Sequence, residues 1–207
     1  AALVANTTGG YNAVLGSFAA DANTTGSSNA AFGYAALSAN TTGSSNTALG
    51  EFSLGTNTTA SNNVAVGKSA LQYNTTGYSN VAVGAIALDA NTTGAANTAV
   101  GFNSLGANTT ATGNTAMGWY SLNKTTTGYA STGIGFSALQ NQTTGNQNVA
   151  VGYQSLAALT TATYNTAVGN AAGLAVTTGV QNVAMGGLAL RLDTKGTGSV
   201  AIGYETL

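Results

Sequence analysis

Asn63-Val64-Ala65-Val66-Gly67-Lys68-Ser69-Ala70-Leu71-Gln72-Tyr73-Asn74-Thr75-Thr76-Gly77-Tyr78-Ser79 runs directly into Asn80-Val81-Ala82-Val83-Gly84, the same phrase begun again 17 residues later. Outward from this stretch, its first Gly recurs at every 17th residue from Gly16 to Gly203 without a slip. Counting the opening Asn as position 1, Gly is position 5 and Leu position 9, where only Ala20 and Gly173 differ. Asn-Thr-Thr occupies positions 12 to 14 from Asn23 to Asn108, and the Thr of position 13 runs on from Thr24 to Thr194, with Thr7 continuing it upstream. Position 1 itself is Asn throughout, apart from Ser131 and Ser199.

A helical-hairpin repeat needs more than ~30 residues, so this period is too short for one. It suits one turn of a parallel β-solenoid, whose coils stack at ~4.8 Å and would make twelve coils a rod of roughly 57 Å. The absence of insertions and deletions agrees, because a slipped strand would break every ladder at once. The expected fold is all-β, with residues 1–207 a single repetitive segment without an internal boundary. The chain opens and closes inside a repeat and has no initiator Met, which reads as a window of a longer protein.

Positions 1 to 5 read as a strand closed by a turn. Positions 2 and 4 take Val64 and Val66, Val81 and Val83, Val149 and Val151, or Val200 and Ile202, while position 3 is Ala except at Val14 and Gly133. Alternate residues face opposite sides, so both sides of the strand are apolar. One must line the coil interior. The other, paved with Ala65, Ala82, Ala99 and Ala150, is the candidate interface with a neighbouring chain. The Gly of position 5 implies either φ > 0 or a close backbone approach. The position-1 Asn column implies an amide ladder between coils, and Thr-Thr-Gly a hydroxyl-capped turn. Leu37, Leu54, Leu71 and their equivalents are expected to fill the interior.

Composition narrows the function. Four Lys and Arg, five Asp and Glu, a net charge of −1 and no His, Cys or Pro leave little for chemistry. Phosphate neutralisation needs clustered cations, and Lys68, Lys124, Arg191 and Lys195 are scattered. No apolar run approaches the ~18 residues of a membrane span. Catalysis needs a base or nucleophile held by a partner. Asp21 and Asp89 share a column but lie four coils apart, about 19 Å at the strand spacing. Neither an enzyme nor a metal or cofactor site is expected.

Two columns invite a surface role. Position 6 holds Phe102, Trp119, Phe136 and Tyr153 in consecutive coils but also Glu51 and Lys68, so it reads as exposed. The four aromatics form either a stiffening ladder or a platform for a receptor or glycan. Asn6, Asn23, Asn40, Asn57, Asn74, Asn91 and Asn108 each begin an Asn-Thr-Thr acceptor pattern for N-glycosylation, which requires exposed loops.

At Asn63-Val64-Ala65-Val66-Gly67, Asn80-Val81-Ala82-Val83-Gly84 and Ser199-Val200-Ala201-Ile202-Gly203 the chain resembles the head repeats of trimeric autotransporter adhesins and related phage tail-fibre repeats. The likeness extends over all twelve units, although this unit is longer, with Thr-Thr-Gly as the added leg. The resemblance implies a left-handed β-roll, three chains side by side with the Gly-ended strand nearest the threefold axis, and an extracellular setting on a bacterial surface or a virion. The expected function is a structural and adhesive fibre segment. An ice-binding solenoid, suggested by the Thr column, and a purely structural filament are the alternatives.

Overall fold

The computed structural model describes residues 1–207 as twelve three-residue strands joined by turns, with no helix. They are β1 (Ala13–Leu15), β2 (Ala30–Phe32), β3 (Thr47–Leu49), β4 (Val64–Val66), β5 (Val81–Val83), β6 (Thr98–Val100), β7 (Thr115–Met117), β8 (Thr132–Ile134), β9 (Val149–Val151), β10 (Thr166–Val168), β11 (Val183–Met185) and β12 (Val200–Ile202). All twelve form one sheet in strict chain order, parallel throughout. Each strand pairs with its equivalent 17 residues on: Val66 lies beside Val83, and Val83 beside Val100. This is the β-solenoid that the period predicts. Only 22 of the 135 backbone hydrogen bonds belong to the strand ladder. The turns are therefore stacked as well, as in Thr41 N–H to Thr58 O and Leu71 N–H to Ala87 O.

The coil interior inverts one expectation. Ala65, Ala82, Ala99 and Ala150 are fully buried within a single chain, in one core cluster with Leu71, Leu88, Leu105 and Leu156. They are not an interface. The residues on either side of them, positions 2 and 4, face outward and are half-buried or exposed. The reason is volume. Most cross-sections already hold a buried Leu at position 9 and a buried Ala or Ser at position 8, such as Ala70, Ala87 and Ser104. What remains opposite them fits a methyl group. In the coil of Gly133 it is tighter still, since a Cβ there would stand 2.7 Å from Ser121 Oγ and 3.2 Å from Leu122 Cγ.

Corners come from left-handed residues. In each coil positions 7, 9 and 17 adopt positive φ, as at Ser69 (56°), Leu71 (53°) and Ser79 (55°). Leu in this region is strained by roughly 1–2 kcal/mol, offset by full burial of its side chain. Where Gly173 replaces that Leu, Val176 stands in the Asn column and is fully buried, so the missing volume is made up from the adjacent corner. Position 5 meets both conditions proposed for its Gly. At Gly84 φ is +133°, and an added Cβ would lie 2.6 Å from the Gly101 carbonyl oxygen of the next coil.

Candidate functional surfaces

Buried amide ladders form at both Asn columns, along most of the chain at position 1 and as far as Asn108 at position 12. At position 1, Asn80 N–H donates to Asn63 Oδ1 (2.9 Å), and Asn80 Nδ2 donates to the Gly94 carbonyl across the coil (2.8 Å). At position 12, Asn40 Nδ2 donates to Asn23 Oδ1 (2.8 Å) and to the Gly43 carbonyl (2.9 Å). This second ladder overturns the glycosylation sites. Asn23, Asn40, Asn57, Asn74, Asn91 and Asn108 are at most 1% exposed, and the nitrogen that would carry a glycan is hydrogen-bonded inside the coil. Asn6, half-buried, likewise donates its Nδ2 to the Gly9 carbonyl (3.0 Å).

The position-12 ladder changes character midway. Thr125, Gln142, Leu159 and Val176 follow Asn108 in the column, all buried. Gln142 reaches toward the other ladder, where Ser131 is short: Gln142 Nε2 donates to Ser131 Oγ (3.2 Å), and Gln142 Oε1 accepts from Asn148 Nδ2 (3.0 Å). Between the two regimes, Asn108 Oδ1 and Thr125 Oγ1 are buried without partners. Thr125→Asn restores the missing donor at this rung. It should raise the unfolding free energy by about 1 kcal/mol in denaturant titration, and an unchanged midpoint would refute the assignment of this junction as a fault in the ladder.

Of the two Thr in each corner, the first is committed to the fold. Thr41 Oγ1 donates to the Thr58 carbonyl (3.1 Å), and the pattern repeats from coil to coil. The second, as at Thr42, Thr59 and Thr76, is exposed in a single file.

Phe102, Trp119, Phe136 and Tyr153 are brought together as an exposed row. Successive ring centroids are 5.3, 6.4 and 5.3 Å apart. Phe136 and Tyr153 are stacked at 13°, whereas Trp119 is tilted by 54° and 46° to its neighbours. The stacked pair turns one face of each ring toward the other. Tyr120, from position 7, joins edge-on to Phe102 at 5.7 Å. A second group, Phe18, Tyr34 and Phe52, is edge-to-face at 5.8 and 5.4 Å. Sequence reasoning missed Tyr120, Phe18 and Phe52 because it followed position 6 alone; aromatics in positions 6 and 7 of adjoining coils were the available signal.

The outward strand face is the largest surface of uniform chemistry. Positions 2 and 4 contain only Ala, Thr, Val, Leu, Ile, Met and Phe in every coil, with no charge. Leu15, Phe32, Leu49, Met117, Ile134, Met185 and Ile202 are all more than a third exposed. Contiguous apolar surface of this extent marks an interaction site in soluble proteins.

Charges lie off this face. Lys68 and Glu51 pair at 3.0 Å, well exposed, an arrangement that contributes little. Asp89 is half-buried, and desolvation raises its carboxyl above the ordinary 3.8, backbone hydrogen bonds opposing the rise. Its protonated form is thus favoured by the fold: the contribution is present below about 3.8 and is lost as pH climbs through the raised value. Asp89→Asn should therefore raise the melting temperature at pH 7 and leave it unchanged at pH 3. An equal shift at both pH values would contradict this origin.

A hollow of about 260 Å³ beside the last coil is lined by Leu188, Arg191, Leu192, Glu205 and Leu207. No cluster of metal-ligating side chains is present, and no helix is long and apolar enough to cross a membrane. Comparison with family models, curated proteins and solved structures returns no match to this chain.

Proposed function

We propose that the chain is a structural and adhesive segment, shaft or head, of an extracellular homotrimeric attachment fibre on a bacterial surface or a virion tail. The observation that carries this reading is the uncharged strand face, which continues through all twelve coils beside a core already closed by Ala and Leu. A face of that kind is covered most economically by further copies with the same spacing. The resemblance to trimeric adhesin head repeats supplies the number three. Rigidity suits the role, since the stacked corners tie each coil to the next and the Asn ladders reinforce them where they run. Sedimentation equilibrium tests the reading: the expected mass is three times the 20.1 kDa chain, and a single-chain mass at micromolar concentration would sink it.

Ice binding, the alternative from another functional class, would want two adjacent files of free hydroxyls. Here one of the two Thr files donates to backbone carbonyls, which favours the fibre. The aromatic row is assigned to stiffening, because each of its rings packs against the ring of the next coil. Trp119→Ala should lower the melting temperature by the equivalent of ~0.2–1 kcal/mol per lost ring pair and leave retention on glycan arrays or host cells unchanged. Lost retention at unchanged stability would make the row a binding platform instead.

A further inference from the structure

The inside and the outside of the rod depart from the repeat at the same levels. Inside, the position-12 column passes a side-chain hydrogen bond from coil to coil at each of six steps between Asn6 and Asn108. There the series stops. Thr125 is shorter than Asn and does not reach Asn108 Oδ1, so that atom and Thr125 Oγ1 are buried without partners. The bond from Asn108 Nδ2 to the Ala111 carbonyl is stretched to 3.4 Å, against 2.8 Å at Asn74 and 3.0 Å at Asn91. The next step is open as well, because Gln142 bonds to Ser131 and Asn148 instead of reaching back to Thr125. From Leu159 and Val176 onward the column joins the apolar core. The gap is therefore confined to the steps from Asn108 to Thr125 and from Thr125 to Gln142.

The position-1 ladder thins at the same place. Ser131 has no amide to send across its coil, as Asn114 does to the Gly128 carbonyl and Asn148 to the Ala162 carbonyl, both at 2.8 Å. Asn148 N–H meets Ser131 Oγ at 3.2 Å, whereas Asn80 N–H meets Asn63 Oδ1 at 2.9 Å. In the same coil Gly133 removes a methyl group from the core column.

Outside, the ring contacts of the aromatic row begin at the first open step. Phe102 meets Trp119 and Tyr120 across it, Trp119 meets Phe136 across the second, and Phe136 meets Tyr153 one coil beyond. The flanking steps of this column, Ala85 to Phe102 and Tyr153 to Asn170, have no ring pair. In a stack whose coils touch only their neighbours, stability is a sum over such steps. The step with the fewest ties opens first.

We infer that the levels between Asn108 and Gln142 are a yield point built into the rod, clasped from outside by Phe102, Trp119 and Phe136. This property belongs to the single chain and holds whatever number of copies assembles. A rod that yields at one level takes up strain there and spares the coils on either side. Rings alone do not mark such a level, since Phe18, Tyr34 and Phe52 form a similar group where the position-12 ladder is intact.

That second group supplies the control. Trp119→Ala and Tyr34→Ala each remove two ring contacts between coils, one over the gap and one over the continuous ladder. Hydrogen exchange of the full chain, read by mass spectrometry on peptides, compares them. Trp119→Ala should speed exchange about tenfold in residues 107–128, as two lost ring contacts allow local opening, and leave residues 39–60 unchanged. Tyr34→Ala should accelerate no segment selectively, because the Asn23, Asn40 and Asn57 rungs still hold its levels. Adding Thr125→Asn to Trp119→Ala should slow residues 107–111 again and leave residues 124–128 fast, since Gln142 still turns away from position 125. Thr125→Asn by itself, with every ring in place, should slow residues 107–111 relative to the unmodified chain. Equal local acceleration by both ring substitutions, or acceleration spread evenly along the chain, overturns the yield point. So does unchanged exchange at residues 107–111 in Thr125→Asn, a readout that stands even if Trp119→Ala does not fold.

Discussion

Gly84→Ala is expected to destabilise the rod by about 3 kcal/mol or more, among the largest effects of one methyl group anywhere in the chain. Two costs add. The backbone at this Gly sits at φ +133°, a region L-residues rarely enter, and holding a side chain there costs ~1–3 kcal/mol. The new Cβ would also stand 2.6 Å from the Gly101 carbonyl oxygen and 2.7 Å from its carbon. Those are backbone atoms of the next coil, so relief requires the coils to part and the ladder between β5 and β6 to stretch. Gly203, in the same column, meets only the Thr206 side chain at 3.2 Å. Gly203→Ala should therefore cost markedly less. Thermal melts of the two variants decide the matter: equal losses would mean that φ alone governs the column.

Ala82→Glu is expected to unfold the chain rather than merely separate copies. Ala82 is fully buried among core Ala and Leu residues, with no cation nearby to pair a carboxylate. An uncompensated buried charge costs ~3–5 kcal/mol, and the side chain is too large for a site matched to a methyl group. Loss of the β-sheet circular dichroism signal is the expected readout. A folded single-chain species would contradict the placement of Ala82 in the core.

These two residues also mark what was legible in the sequence. The coil period, parallel pairing and register follow from Gly at every 17th residue, because only an uninterrupted stack needs the same backbone exception at every level. The choice of inward face was hard to read from alternation in the coils where positions 2, 3 and 4 are all apolar, as at Val64-Ala65-Val66. Thr at position 2, in Thr47, Thr98, Thr115, Thr132 and Thr166, nevertheless pointed that side outward. A sharper signal lay in size: position 3 accepts Gly133 and rarely exceeds Ala, while position 4 accepts Phe32 and Met117. Small-only columns are tight and variable-size columns are open. The buried Asn-Thr-Thr corner carried a similar clue, because its Asn column turns into Leu159 and Val176, replacements that suit an interior. The aromatic row was readable as a stack in position 6, but Tyr120 and the Phe18-Tyr34-Phe52 group depend on how positions 6 and 7 cross at the corner, which spacing alone does not give.

The central claim is that the Val- and Thr-bearing outward face, and not the Ala column, joins copies of this chain. Its most direct test is the molar mass of Val83→Lys/Val100→Lys at a concentration where the unmodified chain is assembled. Both side chains lie on the outward face of adjacent strands β5 and β6 and are half-buried in one chain, so Lys can reach solvent there without entering the core. The account predicts a chain that keeps its β-sheet signal and sediments as a single 20.1 kDa species. A variant that keeps the assembled mass of the unmodified chain would place the contact elsewhere and contradict the account.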